Sequence, residues 1–322
     1  MSLFGLRETH LSGFGGATAW LNSEPLADAS LNGRAVLVDF GTYTCINWLR
    51  TLPFLRAWHE RYREDGLVLV GVQTPEFAFE HDLGSVRREL TDREIDWPVA
   101  VDNRYEIWRA FSNHYWPALY FADHAGVIRH HRFGEGEYEQ SERVLQDLLG
   151  LPDRDPVRVQ GVGDERAPDW PRLRSPETYL GYERAASFAS PGGSRAGASR
   201  VFEAPRSLSL NDWGLSGGWT MRADCVVLDE AGGRIMFRFR ARDLHLVLRR
   251  TEGRTAPIPF TVLLDDAAPA ASSGIDLDGD GKGWVDDDRL YQLVRQSAGV
   301  RERTFEITFR EPGVEAYVFT FG

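Results

Sequence analysis

The chain has 322 residues, of which 42% are hydrophobic and 26% charged, and its formal net charge is −11. This ordinary globular composition excludes a wholly disordered chain, and the length suits two domains of roughly 150 residues each. An acidic chain repels phosphate backbones, so nucleic acid is not expected as a partner. No run approaches the ~20 apolar residues of a membrane-spanning helix, and residues 1–15 lack a secretory pattern. We therefore expect no membrane association and a cytoplasmic location.

Residues 35–150 alternate between strand patterns and helix patterns. The apolar runs 35–40 and 67–72 are typical of strands buried on both faces. Between them, apolar residues spaced three apart predict a helix from about Ile46 to Arg63, and Pro53 inside it predicts a kink. The later elements are a helix over 81–90, a strand over 97–101, a helix over 105–111, a hairpin of 118–121 with 127–132, and a helix over 138–149. This order predicts an α/β sandwich with a mixed sheet over residues 1–150.

The remainder of the chain changes character. Residues 151–172 carry four prolines among charged residues and predict a linker. Over 173–322 the helical period nearly disappears, which predicts an all-β, jelly-roll-like sandwich. Its alternating segments are 233–240, 244–250, 258–264, 303–310 and 316–321. The stretch 187–199, rich in Gly, Ser and Ala, predicts a flexible loop.

Two cysteines, Cys45 and Cys225, are too few for a disulfide-stapled scaffold or a multi-cysteine metal site. Cys45 lies where a buried strand ends and a helix begins, a position at which helix amides and the macrodipole lower a thiol pKa. Thr42 and Thr44 can supply hydroxyl hydrogen bonds nearby. These residues predict a reactive thiol; the alternative is a small buried hydrophobic residue.

Five short segments carry a pattern centred on Cys45: Val38–Asn47, Leu49–Pro53, Thr74–His81, Tyr115–Pro117 and Phe133–Gly136. Together they resemble the thioredoxin-like redoxin domain of the TlpA and DipZ type, over about residues 34–149. The resemblance implies a thioredoxin-like fold and thiol–disulfide exchange. Residues 175–179 and the closing segment 317–322 resemble the carbohydrate-binding-module-like β-sandwich that follows this redoxin in DipZ-type proteins.

One position departs from the family pattern, which is Cys-Ile-Asn-Cys. Here the sequence is Cys45-Ile46-Asn47-Trp48. The residue three after the nucleophile lies one helical turn further on the same face, where a second thiol would attack the mixed disulfide. Trp48 cannot do so, and Cys225 lies in an apolar run typical of a core strand. Exchange between two thiols within this turn is therefore excluded.

Three interpretations remain open. Cys45 acts as a monothiol reductase that an external thiol such as glutathione resolves, or as a one-cysteine peroxidase. For the peroxidase, Thr42 is placed as in the peroxiredoxin Thr-x-x-Cys pattern, although Val38 stands where that pattern has proline. Both have a thiol or disulfide substrate, or a small thiol reductant, as partner. In the third, the thioredoxin fold is a redox-inactive binding or scaffold module and the β-sandwich binds a ligand.

Further residues are candidates for the same site. By the resemblance, an acidic residue after the second buried strand can shuttle protons, and Glu76 or Glu80 fits this position; each also fits a solvated carboxylate at a helix start. The aromatic residue before Pro117 predicts a cis bond in a tight turn facing Cys45, or else a strand-initiating proline. The residues expected to shape the substrate groove are Tyr43, Trp48, Trp116 and Pro117.

In the second predicted domain, residues 276–287 match much of a calcium loop, with Gly281 at the sharp turn. The candidate ligands are Asp276, Asp278, Asp280 and Asp287. An acidic hairpin turn is the alternative. The aromatic residues Trp213, Trp219, Trp284 and Tyr291 could stack on a glycan, or form the core of the sandwich. Calcium and a glycan are therefore candidate ligands, and no other cofactor is expected.

Overall fold

The computed structural model describes residues 9–194 and 196–322, which divide into two compact units at the boundary between Arg166 and Ala167. The N-terminal segment 1–15, for which the sequence predicts no secretory signal, lies partly outside the described residues. One position of the predicted flexible loop 187–199 is also outside them. Over the described ranges, no helix combines the length and the apolar character needed to span a bilayer.

The first unit is built on a mixed sheet. Its strands are β1 (Ala19–Leu21), β2 (Ala35–Gly41), β3 (Leu67–Gln73), β4 (Val99–Val101), β5 (Ala118–Ala122) and β6 (Ile128–Phe133). Its helices are α1 (Asp28–Leu31), α2 (Ile46–Leu49), α3 (Leu52–Tyr62), α4 (Leu83–Asp92), α5 (Glu106–Ala110) and α6 (Tyr138–Leu149). The strand order is β1-β4-β3-β2-β5-β6, in which β2, β3 and β4 are parallel and the other pairs antiparallel. The predicted α/β fold with a mixed sheet is confirmed.

The central strand β2 positions the reactive turn. All seven of its residues are buried, as its apolar run predicts for a strand covered on both faces. Asp39 lies opposite Gly71 of β3 and Leu119 of β5. The carboxyl ends of β2 and β3 share one edge of the sheet, where the Thr74 amide donates to the Gly41 carbonyl at 3.1 Å. The turn that carries Cys45 leaves β2 at this edge.

The predicted helix 46–63 is two helices. α2 ends at Leu49, α3 begins at Leu52, and Pro53 lies in the first turn of α3. A proline there loses no helical hydrogen bond, since first-turn amides have no partner within the helix. The prediction of a kink inside one continuous helix is therefore wrong, because the break comes before Pro53.

The predicted linker 151–172 is partly packed against the first unit, which extends to Arg166. Arg154 pairs with Asp65, and Asp164 pairs with Arg93 at 2.9 Å. These contacts join residues 151–166 to the α/β unit.

The second unit is all-β, as predicted. Its strands are β7 (Thr178–Tyr179), β8 (Ser199–Phe202), β9 (Trp213–Met221), β10 (Val226–Leu228), β11 (Arg234–Phe239), β12 (Asp243–Arg250), β13 (Ile258–Leu264), β14 (Lys282–Val285), β15 (Arg289–Arg295), β16 (Arg303–Phe309) and β17 (Val314–Phe321). They pair antiparallel in the order β14-β13-β16-β11-β9-β10-β17-β12-β15, with β7 on β17 and β8 on β9. β9 pairs with β11 along its first part and with β10 along its second, so one strand joins two halves that enclose a common core. The jelly-roll connection of these strands stays a prediction.

Candidate functional site

Cys45 caps the N-terminus of α2. Its amide donates to the Thr42 carbonyl at 3.1 Å, and its carbonyl accepts from the Leu49 amide at 3.0 Å, so the cysteine closes the turn and opens the helix. The side chain is half-buried. Its thiol donates to the carbonyl oxygen of Trp116, 3.8 Å from Sγ. The residue is thus partly exposed, and its thiol is held against the turn before β5.

That turn is fixed on both sides of the Trp116–Pro117 peptide bond, which is cis. The Trp116 indole Nε1 donates to the Thr74 carbonyl at 3.0 Å, and its ring lies 4.4 Å from that of Trp108. The Pro117 carbonyl accepts from the Gly134 amide at 2.9 Å. The end of β3, the α5 helix and the end of β6 therefore hold the turn beside Cys45.

Glu80 is a buried carboxyl group next to the reactive turn. The Thr44 hydroxyl donates to its Oε1 at 2.6 Å, and the Phe77 amide donates to its Oε2 at 2.8 Å. Burial raises the pKa of Glu80 to about 7, and these hydrogen bonds, which favour the ionised form, offset only part of that effect. The residue directly before the cysteine is thus bonded to a group that exchanges a proton near neutral pH.

The other polar residues predicted for the site have different positions. Glu76 is half-buried and contributes its backbone amide to Glu80. Thr42 is buried, and its hydroxyl accepts a hydrogen bond from the side-chain amide of Gln73 at 3.0 Å and donates one to the Glu80 carboxyl group. Of the two acids proposed from the sequence, Glu80 is the one next to the turn of Cys45.

Trp48 fills the space where the family pattern has its second cysteine. The side chain is 5% exposed, and its Nε1 donates to Oδ2 of Asp39 at 2.9 Å. Gly41 lies under the indole, where an added Cβ would come within 2.1 Å of Nε1. A strand residue without a side chain is therefore what lets the ring reach Asp39.

Asp39 was not predicted as a site residue. It is buried, and burial raises its pKa to about 7, while the hydrogen bond from Trp48 lowers it in part. Its Oδ1 has no hydrogen-bond partner, and the carboxyl group lines a small cavity of about 10 Å³, with room for about one water. A single acid inside the apolar run 35–40 is the sequence signal that identifies it.

Two predicted groove residues point into the interior. Tyr43 is 1% exposed and its ring packs against Phe79 with centroids 6.3 Å apart, and Trp48 turns toward Asp39. Large rings gain most by burial, which explains both positions. The groove prediction is therefore wrong for these two, and of the four candidates only Trp116 is partly exposed.

Cys225, in the second unit, is 1% exposed and directly precedes β10. Burial raises the pKa of its thiol far above the usual range, and the acidic side chains of Asp224 and Glu315 raise it further. Neither cysteine is in a disulfide. Since the thiolate is the reactive form, Cys225 is an inert thiol.

The predicted calcium site is not formed. Asp276 pairs with Arg289 at 2.8 Å, and Asp278 accepts from the Asp280 and Lys282 amides at 2.9 and 2.8 Å. Asp280 bonds the Lys282 ammonium at 3.2 Å. Asp287 accepts from the next amide along the chain at 2.9 Å. Across 9–194 and 196–322, no three His, Cys, Asp or Glu side chains converge as a metal site requires.

The predicted glycan platform is not formed either. Trp213, Trp219 and Tyr291 are fully buried in the core of the second unit, and only Trp284 is exposed, at 54%. The aromatic residues contribute apolar area to the core, which is the alternative given by the sequence.

Comparison with known proteins adds to this geometry. The profile of the family described as thioredoxin like C-terminal domain matches residues 175–322. Protein DipZ of Mycobacterium bovis is 35% identical over 259 residues, which are 76% of this chain and 37% of that protein. Thiol-disulfide oxidoreductase YkuV of Bacillus subtilis is 27% identical over 134 residues, 42% of this chain and 90% of that protein. A solution structure of a thioredoxin-like protein in the oxidized form is 25% identical with a TM-score of 0.42, covering 44% of this chain and 96% of that one. The chain thus spans little more than a third of DipZ.

Proposed function

This chain is a thioredoxin-like protein of the DipZ type, and on that basis we propose that it carries out thiol–disulfide exchange through Cys45 alone. The observation that carries the proposal is the pairing of a partly exposed Cys45 with a buried Trp48. The first permits attack on a disulfide. The second removes the internal thiol that would complete a dithiol cycle.

The proposed reaction has two balanced steps. The Cys45 thiolate attacks one sulfur of a disulfide R–S–S–R′, the new bond forms between Sγ and R–S, and R′ leaves as a thiolate. An external small thiol then breaks the mixed disulfide and restores Cys45 as a thiolate. One thiol is consumed and one released in each step, so no further oxidant or reductant is required.

Glu80 supports the first step as a proton acceptor. Cys45 must lose its thiol proton before it attacks, because the thiolate is the nucleophile. Glu80 bonds the Thr44 hydroxyl at 2.6 Å, and a pKa of about 7 lets its carboxyl group take or release a proton near neutral pH. Thr44, which directly precedes Cys45 in the chain and bonds Glu80, is the proposed positioning residue.

The substrate is proposed to bind along the turn before β5. Trp116 is partly exposed there, and its carbonyl contacts the Cys45 thiol. Backbone groups beside Pro117 can pair with an extended peptide that carries the disulfide.

Two alternatives have less support. The one-cysteine peroxidase places the Thr42 hydroxyl at the thiol, whereas that hydroxyl is bonded to Gln73. The redox-inactive scaffold is disfavoured by the partial exposure of Cys45 and the titratable Glu80 beside its turn.

The test is adduct formation with oxidised glutathione, followed by intact-protein mass spectrometry. We expect one glutathione adduct on the native chain and on Cys225→Ser, and none on Cys45→Ser. Addition of reduced glutathione should then remove the adduct over repeated cycles. A chain that forms no adduct, or forms it only on Cys225, contradicts the proposal and favours the scaffold interpretation.

A further inference from the structure

We infer that Tyr105 is a positioning residue of the exchange reaction, and that its hydroxyl acts on Glu80 through the peptide group between Pro75 and Glu76. The inference rests on the proposed function, in which Glu80 accepts the proton of the Cys45 thiol. Tyr105 directly precedes α5, and no pattern in the sequence identifies it as part of the site.

One peptide group lies between the two side chains. Its carbonyl oxygen belongs to Pro75 and accepts a hydrogen bond from the Tyr105 hydroxyl. Its N–H belongs to Glu76 and donates to Oε2 of Glu80. Because a peptide group is planar, a bond that holds its oxygen also fixes the direction of its N–H. Tyr105 and Glu80 are therefore joined by a chain of two hydrogen bonds.

This chain affects the strength of the bond to Glu80 as well as its direction. Hydrogen bonds in series polarise one another, so a carbonyl group that accepts from a hydroxyl makes its own N–H a better donor. The next amide, of Phe77, donates to the same Oε2 at 2.8 Å. A rotation of the peptide group between Pro75 and Glu76 would disturb one of the two amide donors to this oxygen.

The backbone of Tyr105 indicates a specific role for its side chain. Its φ is 56°, in the left-handed region that aromatic residues rarely adopt. Its amide donates to the Asp102 carbonyl at 2.9 Å, and its half-buried ring meets that of Trp108 edge-on, with centroids 6.4 Å apart. Unfavourable backbone conformations are kept where the surroundings require them, often at functional sites. The hydroxyl bond to Pro75 is a reason to keep a tyrosine there.

The charges around this chain fix the sign of the expected effect. Burial raises the pKa of Tyr105, and the carboxyl groups of Glu80, Glu76 and Asp102 raise it further, so the hydroxyl stays a neutral donor where Glu80 titrates. Hydrogen bonds from the amides and from the Thr42 and Thr44 hydroxyls favour ionised Glu80, whereas burial and the nearby Glu76 favour the protonated form. Loss of the Tyr105 hydroxyl weakens a bond to the ionised form and should raise the pKa of Glu80.

The test is the pH dependence of Cys45 alkylation by iodoacetamide in the full-length Cys225→Ser chain. The phase that Glu80→Gln abolishes is assigned to Glu80. Tyr105→Phe keeps the ring and removes the hydroxyl, and it should move the midpoint of this phase upward by about half to one pH unit. Well below the midpoint, that shift slows alkylation about three- to tenfold. Chemical unfolding of each variant establishes that it is folded.

A matched control is Tyr138→Phe. The Tyr138 hydroxyl also donates to a backbone carbonyl group, that of Arg50, at 3.3 Å. Its removal should leave the midpoint where it is in the Cys225→Ser chain. Because asparagine tolerates a left-handed φ, Tyr105→Asn removes the hydroxyl in a second way and should give the same upward shift if Tyr105→Phe does not fold.

A double variant separates positioning from a structural role. With Glu80→Gln already present, Tyr105→Phe should leave the pH profile unchanged, since the group it acts on no longer titrates. An unmoved midpoint in the Tyr105 variant, or an equal shift without Glu80, overturns the inference and leaves exchange at Cys45 standing. If Glu80→Gln abolishes no phase, the inference falls together with the role of Glu80. Failure to form the glutathione adduct overturns the exchange itself.

Discussion

Asp39 and Glu80 are two buried carboxyl groups, bonded to Trp48 and Thr44 respectively, and each has its pKa raised to about 7 by burial. The hydrogen-bond environments differ. Glu80 accepts from two hydroxyls and two amides, whereas Asp39 accepts from the Trp48 indole and has an oxygen without a partner. Their common burial makes both acids protonated in the folded state at mildly acidic pH. The stability of the first unit therefore depends on pH.

The sign of this dependence follows from proton binding. Between about pH 4 and 7 the folded protein retains the Asp39 proton that the unfolded chain has released, so the stabilising contribution of Asp39 is greatest at low pH. It falls as the pH rises, by up to about 1.4 kcal/mol per pH unit for each such group. Glu80 adds a contribution of the same sign.

Asp39→Asn should remove the contribution of Asp39 while an amide oxygen still accepts from Trp48. We expect the loss of stability from about pH 5 to 7 to be smaller than in the native chain but not abolished, since the contribution of Glu80 remains. Urea unfolding at several pH values measures the change in unfolding free energy with pH. The matched variant is Glu80→Gln, which removes the contribution of Glu80 and leaves that of Asp39. If the unfolding free energy of Asp39→Asn depends on pH as strongly as that of the native chain, Asp39 does not retain its proton in the folded state.

At the scale of elements, the fit between β2 and α2 decides the chemistry of the turn. β2 contributes Asp39 and Gly41 on one face, and α2 contributes Trp48. The break between α2 and α3 keeps α2 to a single turn, with Cys45 at its start. The sequence predicts the strand, the helix start and the absent second thiol. It does not predict that the indole turns inward, because that depends on contact across two elements.

Gly41→Ala should disturb this fit. The added Cβ would lie 2.1 Å from Trp48 Nε1 and 2.3 Å from Cδ1 of the same ring, so the indole must move away from Asp39. We expect a loss of about 1–3 kcal/mol in unfolding free energy, as for other overpacked cores. Chemical unfolding measures this loss. The indole N–H resonance in an NMR spectrum reports whether the hydrogen bond is broken.

The control is a double-mutant cycle with Trp48→Ala. Once the indole is gone, the same glycine substitution should cost much less, so the two changes should be strongly coupled. Gly15→Ala is a second control, because a Cβ there meets nothing within 4 Å. Additive effects of Gly41→Ala and Trp48→Ala would contradict the proposed contact.

For the whole molecule, local patterns predict the elements better than their partners. The five segments predicted in the second domain overlap β11, β12, β13, β16 and β17, because alternation along a strand is written in its own residues. β9, whose sequence is rich in glycine and tryptophan, was missed; its role in joining two halves of the sheet is set by pairing. The prediction of a calcium loop is wrong for a similar reason. Its spacing fits, but neighbouring Arg289 and the turn amides bind the carboxylates.

The contacts made by residues 151–166 lie beyond the predicted end of the first domain, and we expect them to contribute to its stability. Each unit has a hydrophobic core of its own, so fragments 1–166 and 167–322 should each fold, and 1–166 should still form the Cys45 adduct. A fragment cut at residue 150 removes the amide of Val157, which donates to the buried Glu142 carboxylate at 2.8 Å. It also removes Asp164 from its ion pair with Arg93.

Because a buried carboxylate loses a donor, fragment 1–150 should be less stable than 1–166 by about 2 kcal/mol or more. Thermal and urea unfolding of the two fragments measure the difference. Circular dichroism of each fragment establishes that it is folded at the start. Equal stability would mean that residues 151–166 are a linker, as their proline-rich composition predicts. A lower stability of 1–150 would show that the folded thioredoxin-like unit extends to Arg166.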